Sequence, residues 1–280
     1  MLGNLEVANA PLKRPLRTAG GRALLSLIVV GILFAAAGAA WGAHSQEPVR
    51  LRILAYNVHH GAGNDEVLDL ERIAALIRSL EPDLVALQEI DERTERTGGV
   101  DQAARLGELT GMEPVFGPFM DYQGGRYGMA VLSKLAFTEP INHRLPPGPE
   151  PRTSLAIRAR LPGDAGELVF AGIHFYRTEE ERMAQARRLL EVLKGESAPV
   201  ILAGDFNSMP GSPVMALIGE TFAIPAKGDD HLTFPSHAPA REIDFIAYRP
   251  AERFTVIEQR VIDEPVASDH RPLLLVVELR

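Results

Sequence analysis

Apolar runs in this chain stop repeatedly at residues able to hold a cation or move a proton. RILAY runs into Asn57, His59 and His60, and DLVALQ runs into Glu89. Further on, His174 follows Ile173, Asp205 and Asn207 follow VILAG, and Asp244 follows Ile243, while Asp269 and His270 stand just before PLLLVVEL. A carboxylate or carboxamide straight after an apolar run is presented by a rigid strand at the rim of a sheet, where layered α/β domains gather their sites. Glu89, Asp205, Asp244 and Asp269 converging at one rim would repel one another unless a divalent cation sat among them. Oxygen donors with few imidazoles suit Mg²⁺ or Mn²⁺ better than Zn²⁺. The chain has no cysteine, which excludes disulfides, thiolate zinc sites and cysteine nucleophiles.

Those residues need elements to carry them. Strand patterns cover residues 50–57, 83–88, 128–133, 154–161, 167–174, 199–203, 243–247, 255–261 and 273–278, and helical spacing covers 67–80, 101–110 and 179–194. Strands alternating with helices predict an α/β or mixed α+β layered domain. An extended segment at 57–61 would turn His59 and His60 to opposite faces. Arg93, Arg96, Arg126 and Arg177 follow motif strands, where they either bind substrate phosphate or stay solvated, and Tyr127 is expected to line the cleft floor or pack in the core.

With 280 residues, 46% of them hydrophobic and 24% charged, the chain can bury a sizeable core, which excludes disordered and low-complexity classes. Three segments are expected: a basic leader at 1–22, an uncharged apolar stretch at 23–43, and one domain at 44–280. The leader carries Lys13, Arg14, Arg17 and Arg22 against Glu6. We read 23–43 as a single-pass membrane anchor, with a cleaved signal peptide as the alternative. Positive-inside logic then puts the domain outside the cytoplasm, membrane-tethered, or secreted if the segment is cleaved. The leader and anchor hold four of the 29 basic and one of the 37 acidic residues, leaving the domain with 25 positive and 36 negative charges.

Taken in order, RILAYNVHHG, DLVALQEID, YGMAVLSK, GIHF, VILAGDFNSMPGSP, REIDFIAY and ASDHRPLLLVVEL resemble the endonuclease/exonuclease/phosphatase superfamily of DNase I-like metal-dependent phosphoesterases. QEIDERTERTGGVDQAARLGELTG is similar to its bacterial metal-dependent hydrolase branch. The resemblance implies a four-layer sandwich of two central, mostly antiparallel β-sheets flanked by helices. It also implies hydrolysis of a phosphodiester or phosphomonoester with Mg²⁺ or Mn²⁺. By the same resemblance Glu89 is the principal metal ligand, Asn57 helps hold metal or phosphate, and Asp269 is a further metal or water-organising carboxylate. Asp205 orients or deprotonates the attacking water, and Asn207 and His174 bind phosphate oxygens. His270 contacts the scissile phosphate, with Asp244 as its carboxylate partner. One departure is His59, which stands where some abasic-site endonucleases carry an acidic residue.

Three functions compete on these residues. A phosphoesterase acting on a small molecule, a lipid headgroup or nucleic acid uses the full set. An inactive, membrane-tethered binding module would have no reason to keep it. A serine hydrolase would rest on Ser133 or Ser268, neither of which sits in a Gly-x-Ser-x-Gly elbow. An acidic domain whose chain has one tryptophan, Trp41 in the apolar stretch, favours a small or lipid-borne phosphoester over an extracytoplasmic nuclease role. A monomer is expected.

Overall fold

The computed structural model describes residues 47–280. The leader, the apolar stretch and the anchor-or-signal reading placed on them lie outside the described residues. No helix among the described residues is long and apolar enough to cross a membrane.

In chain order the elements are β1 (Val49–Asn57), α1 (Leu70–Leu80), β2 (Leu84–Glu92), α2 (Gln102–Thr110), β3 (Glu113–Tyr122), β4 (Gly125–Ser133), β5 (Phe137–Arg144) and β6 (Thr153–Arg160). They continue with β7 (Glu167–His174), α3 (Glu179–Leu193), β8 (Val200–Asp205), α4 (Pro213–Gly219), β9 (Asp244–Arg249), β10 (Phe254–Val261) and β11 (Leu273–Leu279). One sheet runs β10-β11-β1-β2-β4-β3 and the other β5-β6-β7-β8-β9. Each is antiparallel except at one central pair, β1 with β2 and β7 with β8. A helix bridges each parallel pair, α1 in the first sheet and α3 in the second, as a parallel crossover requires.

Strand alternation divides the core into three sheets of side chains. In β1, Leu51, Ile53 and Ala55 face the interior between the sheets, with Ile201 and Ala203 of β8 opposite. Leu54 and Tyr56 face the other way, onto Ile73 and Ile77 of α1 and Leu106 of α2. Val200 and Leu202 of β8 pack on Ala186 and Leu189 of α3 and Val214 of α4. The result is helices, sheet, sheet, helices. Each fully buried Leu, Ile or Phe in these layers contributes about 1.5–3 kcal/mol.

Several boundaries differ from the sequence reading, each for a local reason. α1 starts at Leu70 because the Asp69 carboxylate accepts from the Arg72 amide at 2.9 Å, leaving Val67 and Leu68 about half exposed ahead of the cap. β3, β5 and α4 were not anticipated. β3 contains Pro114 and Pro118 and β5 contains Pro140; both are edge strands, the one place in a sheet that tolerates proline. α4 is a single short helix whose Ser212 cap accepts from the Met215 amide. β2 does not stop at Glu89 but runs on to Glu92 through a bulge between Gln88 and Ile90.

Gly204 sits inside β8 at φ +145. A Cβ there would lie 2.0 Å from the Ile173 carbonyl oxygen and 2.7 Å from the Gln88 amide nitrogen. Gly204→Ala is therefore expected to destabilise the domain by about 2–4 kcal/mol, read as a lowered Tm, with a loss of activity because Asp205 is the next residue. An unchanged Tm would mean that β7 and β8 can separate without consequence.

Candidate active site

Parallel strands deliver their ends, and their antiparallel neighbours deliver their starts, to the same rim. In the second sheet this aligns three residues in one row: His174 of β7 is in register with Asp205 of β8, and Asp205 with Asp244 of β9. Two carboxylates directly opposite each other repel, and both are buried. What offsets this is His270, from the loop leading into β11. Its Nδ1 is 2.9 Å from Asp244 Oδ2 and its Nε2 is 3.8 Å from Asp205 Oδ2. His174 Nε2 approaches the same Asp205 oxygen at 3.6 Å. Asp205 Oδ1 accepts from the Asn207 amide at 2.7 Å, and Asn207 Nδ2 donates to the Phe175 carbonyl at 2.9 Å.

The first sheet supplies the opposite wall. Asn57, the last residue of β1, donates from Nδ2 to Glu89 Oε1 at 3.1 Å and to Asp205 Oδ2 at 3.4 Å, so one amide bridges the two sheets. Glu89 is the bulge residue of β2, at φ +59. The bulge turns Glu89 into the cleft, which the alternation of a regular strand would not do. His59 and His60 do not lie on an extended segment. They form a short 3-10 turn, both at φ 45, and both line the cleft, because the left-handed backbone brings consecutive side chains to one side. Ser268 Oγ donates to the Asn57 carbonyl at 2.7 Å, tying the His270 loop to the end of β1. That hydroxyl and the one on Ser133, which donates to the Leu135 carbonyl, are both engaged with backbone, so neither is placed as a nucleophile.

Burial and charge act on these groups in opposite directions. Burial, then the neighbouring Asp244 charge, pushes the Asp205 carboxyl up to about 7. For His270 burial pushes downward, but the Asp244 charge and hydrogen bond outweigh it and raise the imidazole to about 10, so it is a cation at neutral pH. His174 is held well below the ordinary histidine value by burial and by the nearby Arg152 and His270. Burial, with Arg96 beside it, lowers His60 to about 4. The row of one imidazole and two carboxyl groups is thus closed from outside by a cationic imidazole.

His59, His60, Glu89, His174, Asp205, Asn207 and His270 open onto one cleft of about 890 Å³. Arg96, Arg152, Arg177, Arg182 and Arg241 stand around it. Arg96 pairs with Asp91 at 2.6 Å and lies over Tyr122 and Tyr127, which is itself buried in the cleft wall. Arg152 is only 4% exposed, pairs with Glu150 and lies 5.0 Å from the Phe119 ring. Phe234 packs on His270 at 4.7 Å. Of the four arginines singled out in the sequence, Arg96 and Arg177 reach the cleft, whereas Arg93 and Arg126 border a separate shallow depression with Glu92.

Six of the eight sequence candidates, Glu89, His174, Asp205, Asn207, Asp269 and His270, line this cleft, while Asn57 and Asp244 are buried behind it and bond to lining residues; the eight do not form one cluster. One donor atom each from His59, His60 and Glu89 lies within 4.8 Å of the others, and one each from Asp205, Asp244 and His270 forms a second such group. Asp269 lines the cleft outside both groups and accepts from Ser268 Oγ at 3.4 Å. Asn57 turns its amide nitrogen to the carboxylates while its oxygen accepts from the His59 amide at 3.1 Å. Glu89 and the two imidazoles fit a divalent cation by donor type, and Asp244 Oδ1 is buried with no hydrogen-bond partner, a feature of sites built to receive a further polar group. Sequence reasoning missed Arg152 and Phe234. Arg152 precedes β6, whose antiparallel pairing with β7 places its start at the same rim, so the signal for it lies at a strand start rather than a strand end.

The model of the Endonuclease/Exonuclease/phosphatase family matches residues 54–270. The chain belongs to that family. Endonuclease/Exonuclease/phosphatase members are hydrolases of phosphoester bonds. A UPF0294 protein of Vibrio cholerae is 32% identical over 134 residues, 45% of this chain and 44% of the relative. The chain thus spans less than half the length of the curated relatives it matches. An endonuclease/exonuclease/phosphatase of Beutenbergia cavernae is similar in structure, with a TM-score of 0.65 and 25% identity, covering 82% of this chain and 72% of that one. The human Nocturnin catalytic domain with bound sulfate anion shares the fold at a TM-score of 0.64 and 19% identity, covering 83% and 95%.

Proposed function

We propose that the chain hydrolyses a phosphoester by in-line attack of a water that Asp205 orients and deprotonates. The observation that carries this reading is the buried row of His174, Asp205 and Asp244 closed by His270, set across the cleft from Glu89 and joined to it by the Asn57 amide. A carboxyl pushed up to about 7 is a stronger base than an ordinary aspartate once ionised. Asn57 and Asn207 hold its two oxygens in place. His270, kept cationic by Asp244, faces the position where negative charge grows on phosphorus-bound oxygens, and His174 beside it offers a neutral ring. A divalent cation at Glu89 would supply Lewis acidity and charge neutralisation.

For the substrate we infer a compact or lipid-borne phosphoester. The cleft is local and ringed with arginines, whereas the charge balance of residues 44–280 is acidic, so the positive field is confined to the site. We place the domain outside the cytoplasm, tethered or secreted, on the strength of the basic leader and the apolar stretch. Two results test the catalytic reading. Turnover of a generic phosphodiester or phosphomonoester should vanish in EDTA and return with added divalent cation; turnover indifferent to EDTA would defeat it. Glu89→Gln should leave the Tm within a few degrees and raise the cation concentration for half-maximal activity more than tenfold. An unchanged cation titration would remove Glu89 from the ligand set. A panel of phosphoinositides, sphingomyelin, small phosphomonoesters and nucleic acids then identifies the substrate class.

A further inference from the structure

The geometry points to a first-row transition cation, of the Zn²⁺ and Co²⁺ class, bound by His59, His60 and Glu89 in preference to Mg²⁺. The inference rests on Glu89 as a cation ligand and adds two imidazoles to it. Three protein donors, two nitrogen and one carboxylate oxygen, make a set that leaves further positions open to water or substrate. Mg²⁺ is a hard cation that takes oxygen donors, and imidazole donors move selectivity toward zinc and the later first-row cations such as cobalt.

Four observations support a built site rather than a chance meeting of side chains. The three donor atoms lie within 4.8 Å of one another and line the open cleft. His59 Nδ1 lies 3.2 Å from the Ala62 carbonyl, so that nitrogen carries the proton and Nε2 keeps its lone pair, the usual outer support of a ligating histidine. His60 Nδ1 is buried and has no hydrogen-bond partner among the protein's own groups. Finally, buried Gln102 acts as a clamp between the two ligand segments. Its Nε2 donates to the His60 carbonyl at 2.7 Å, and its Oε1 accepts from the Asp91 amide, two residues beyond Glu89, at 2.9 Å. Gln102 is thus a positioning residue, fixing the histidine turn against the β2 bulge while touching no cation itself. All three ligands also hold left-handed backbone conformations, which bulky side chains rarely adopt.

The test is binding, measured apart from turnover. The full chain in detergent is stripped with chelator and titrated with Zn²⁺, Co²⁺ or Mg²⁺ by calorimetry, and the Co²⁺-loaded protein is read by visible absorption. Zn²⁺ is expected to bind at least 100-fold more tightly than Mg²⁺, and Co²⁺ should give the intense d–d bands of a low-coordinate nitrogen-containing site. His59→Gln combined with His60→Gln should abolish that preference and those bands, while Gln102→Leu should weaken Zn²⁺ about 10–100-fold and leave the Mg²⁺ affinity less affected. Equal Zn²⁺ to Mg²⁺ ratios in wild type and the double variant would overturn the inference. If the double variant fails to fold, the wild-type spectrum decides: weak bands of octahedral, oxygen-coordinated Co²⁺ overturn it as well. Histidine-dependent Zn²⁺ binding without phosphoester turnover would sink the hydrolase reading and leave this one standing. Turnover with Mg²⁺ and histidine-independent binding would do the reverse.

Discussion

Asp205→Asn is expected to lower kcat about 10²–10⁴-fold while leaving the domain as stable as wild type or more so. The first half follows from its place at the meeting point of the site, within 3.4–3.8 Å of Asn57, His174 and His270. The second half follows from burial: an ionised carboxylate beside Asp244 with its water removed is a burden on the fold, and a neutral amide of the same shape relieves it. The sign with pH is definite. A carboxyl raised from about 3.9 in the unfolded chain to about 7 in the fold leaves the native state binding more protons between those values. In chelator, wild-type stability should therefore decline from this group as pH rises from about 4 to about 7, and the variant should lack that decline. Denaturant melts at several pH values read the slope, and steady-state kinetics read the rate. A variant with near-normal kcat would take the base role away from Asp205.

His270→Ala should damage both activity and stability. Removing the cation that faces Asp205 is expected to cost about 10²–10³ in kcat. It also leaves Asp244 as a buried charge without its partner at 2.9 Å, which destabilises by about 3–5 kcal/mol and lowers Tm by roughly ten degrees for a domain of this size. Adding Asp244→Asn should restore much of the Tm, because the orphaned charge is gone, but little of the rate. Asp244→Asn alone should reduce the rate less than His270→Ala, since the imidazole stays but loses its orienting charge. The kinetic losses of the pair should be far from additive, as expected of two groups acting as a unit. Additive losses, or full activity in His270→Ala, would separate this histidine from the reacting phosphate.

How much of this was legible beforehand depended on periodicity. The central strands announced themselves through continuous apolar runs, and β7 falls at the expected residues, 167–174, because both its faces are covered. β3 and β5 were invisible because proline and polar residues read as loop, whereas edge strands accept both. The candidate site residues were legible as types following apolar runs. Their arrangement was not: nothing local to VALQEID signals the bulge that re-aims Glu89, since it is set by the partner strand β4. Likewise NVHHG reads as extended by alternation, while its left-handed turn is held by Gln102, more than forty positions away. Arg152 carries no such signal because it precedes its strand, and only the antiparallel pairing reveals which rim it joins.

The position of β11 has a consequence for how the protein comes to be active. β11 follows every other described element in the sequence, yet it sits inside the first sheet, between β10 and β1. Until it pairs, β1 has an open edge and the Ser268 loop has no ladder beside it to hold it against Asn57. The pairings that complete the cleft join residues more than two hundred positions apart, contacts of the kind that form late and slowly. The loop that carries His270 is thus tied to the end of β1 by the strand pairing that seals the first sheet.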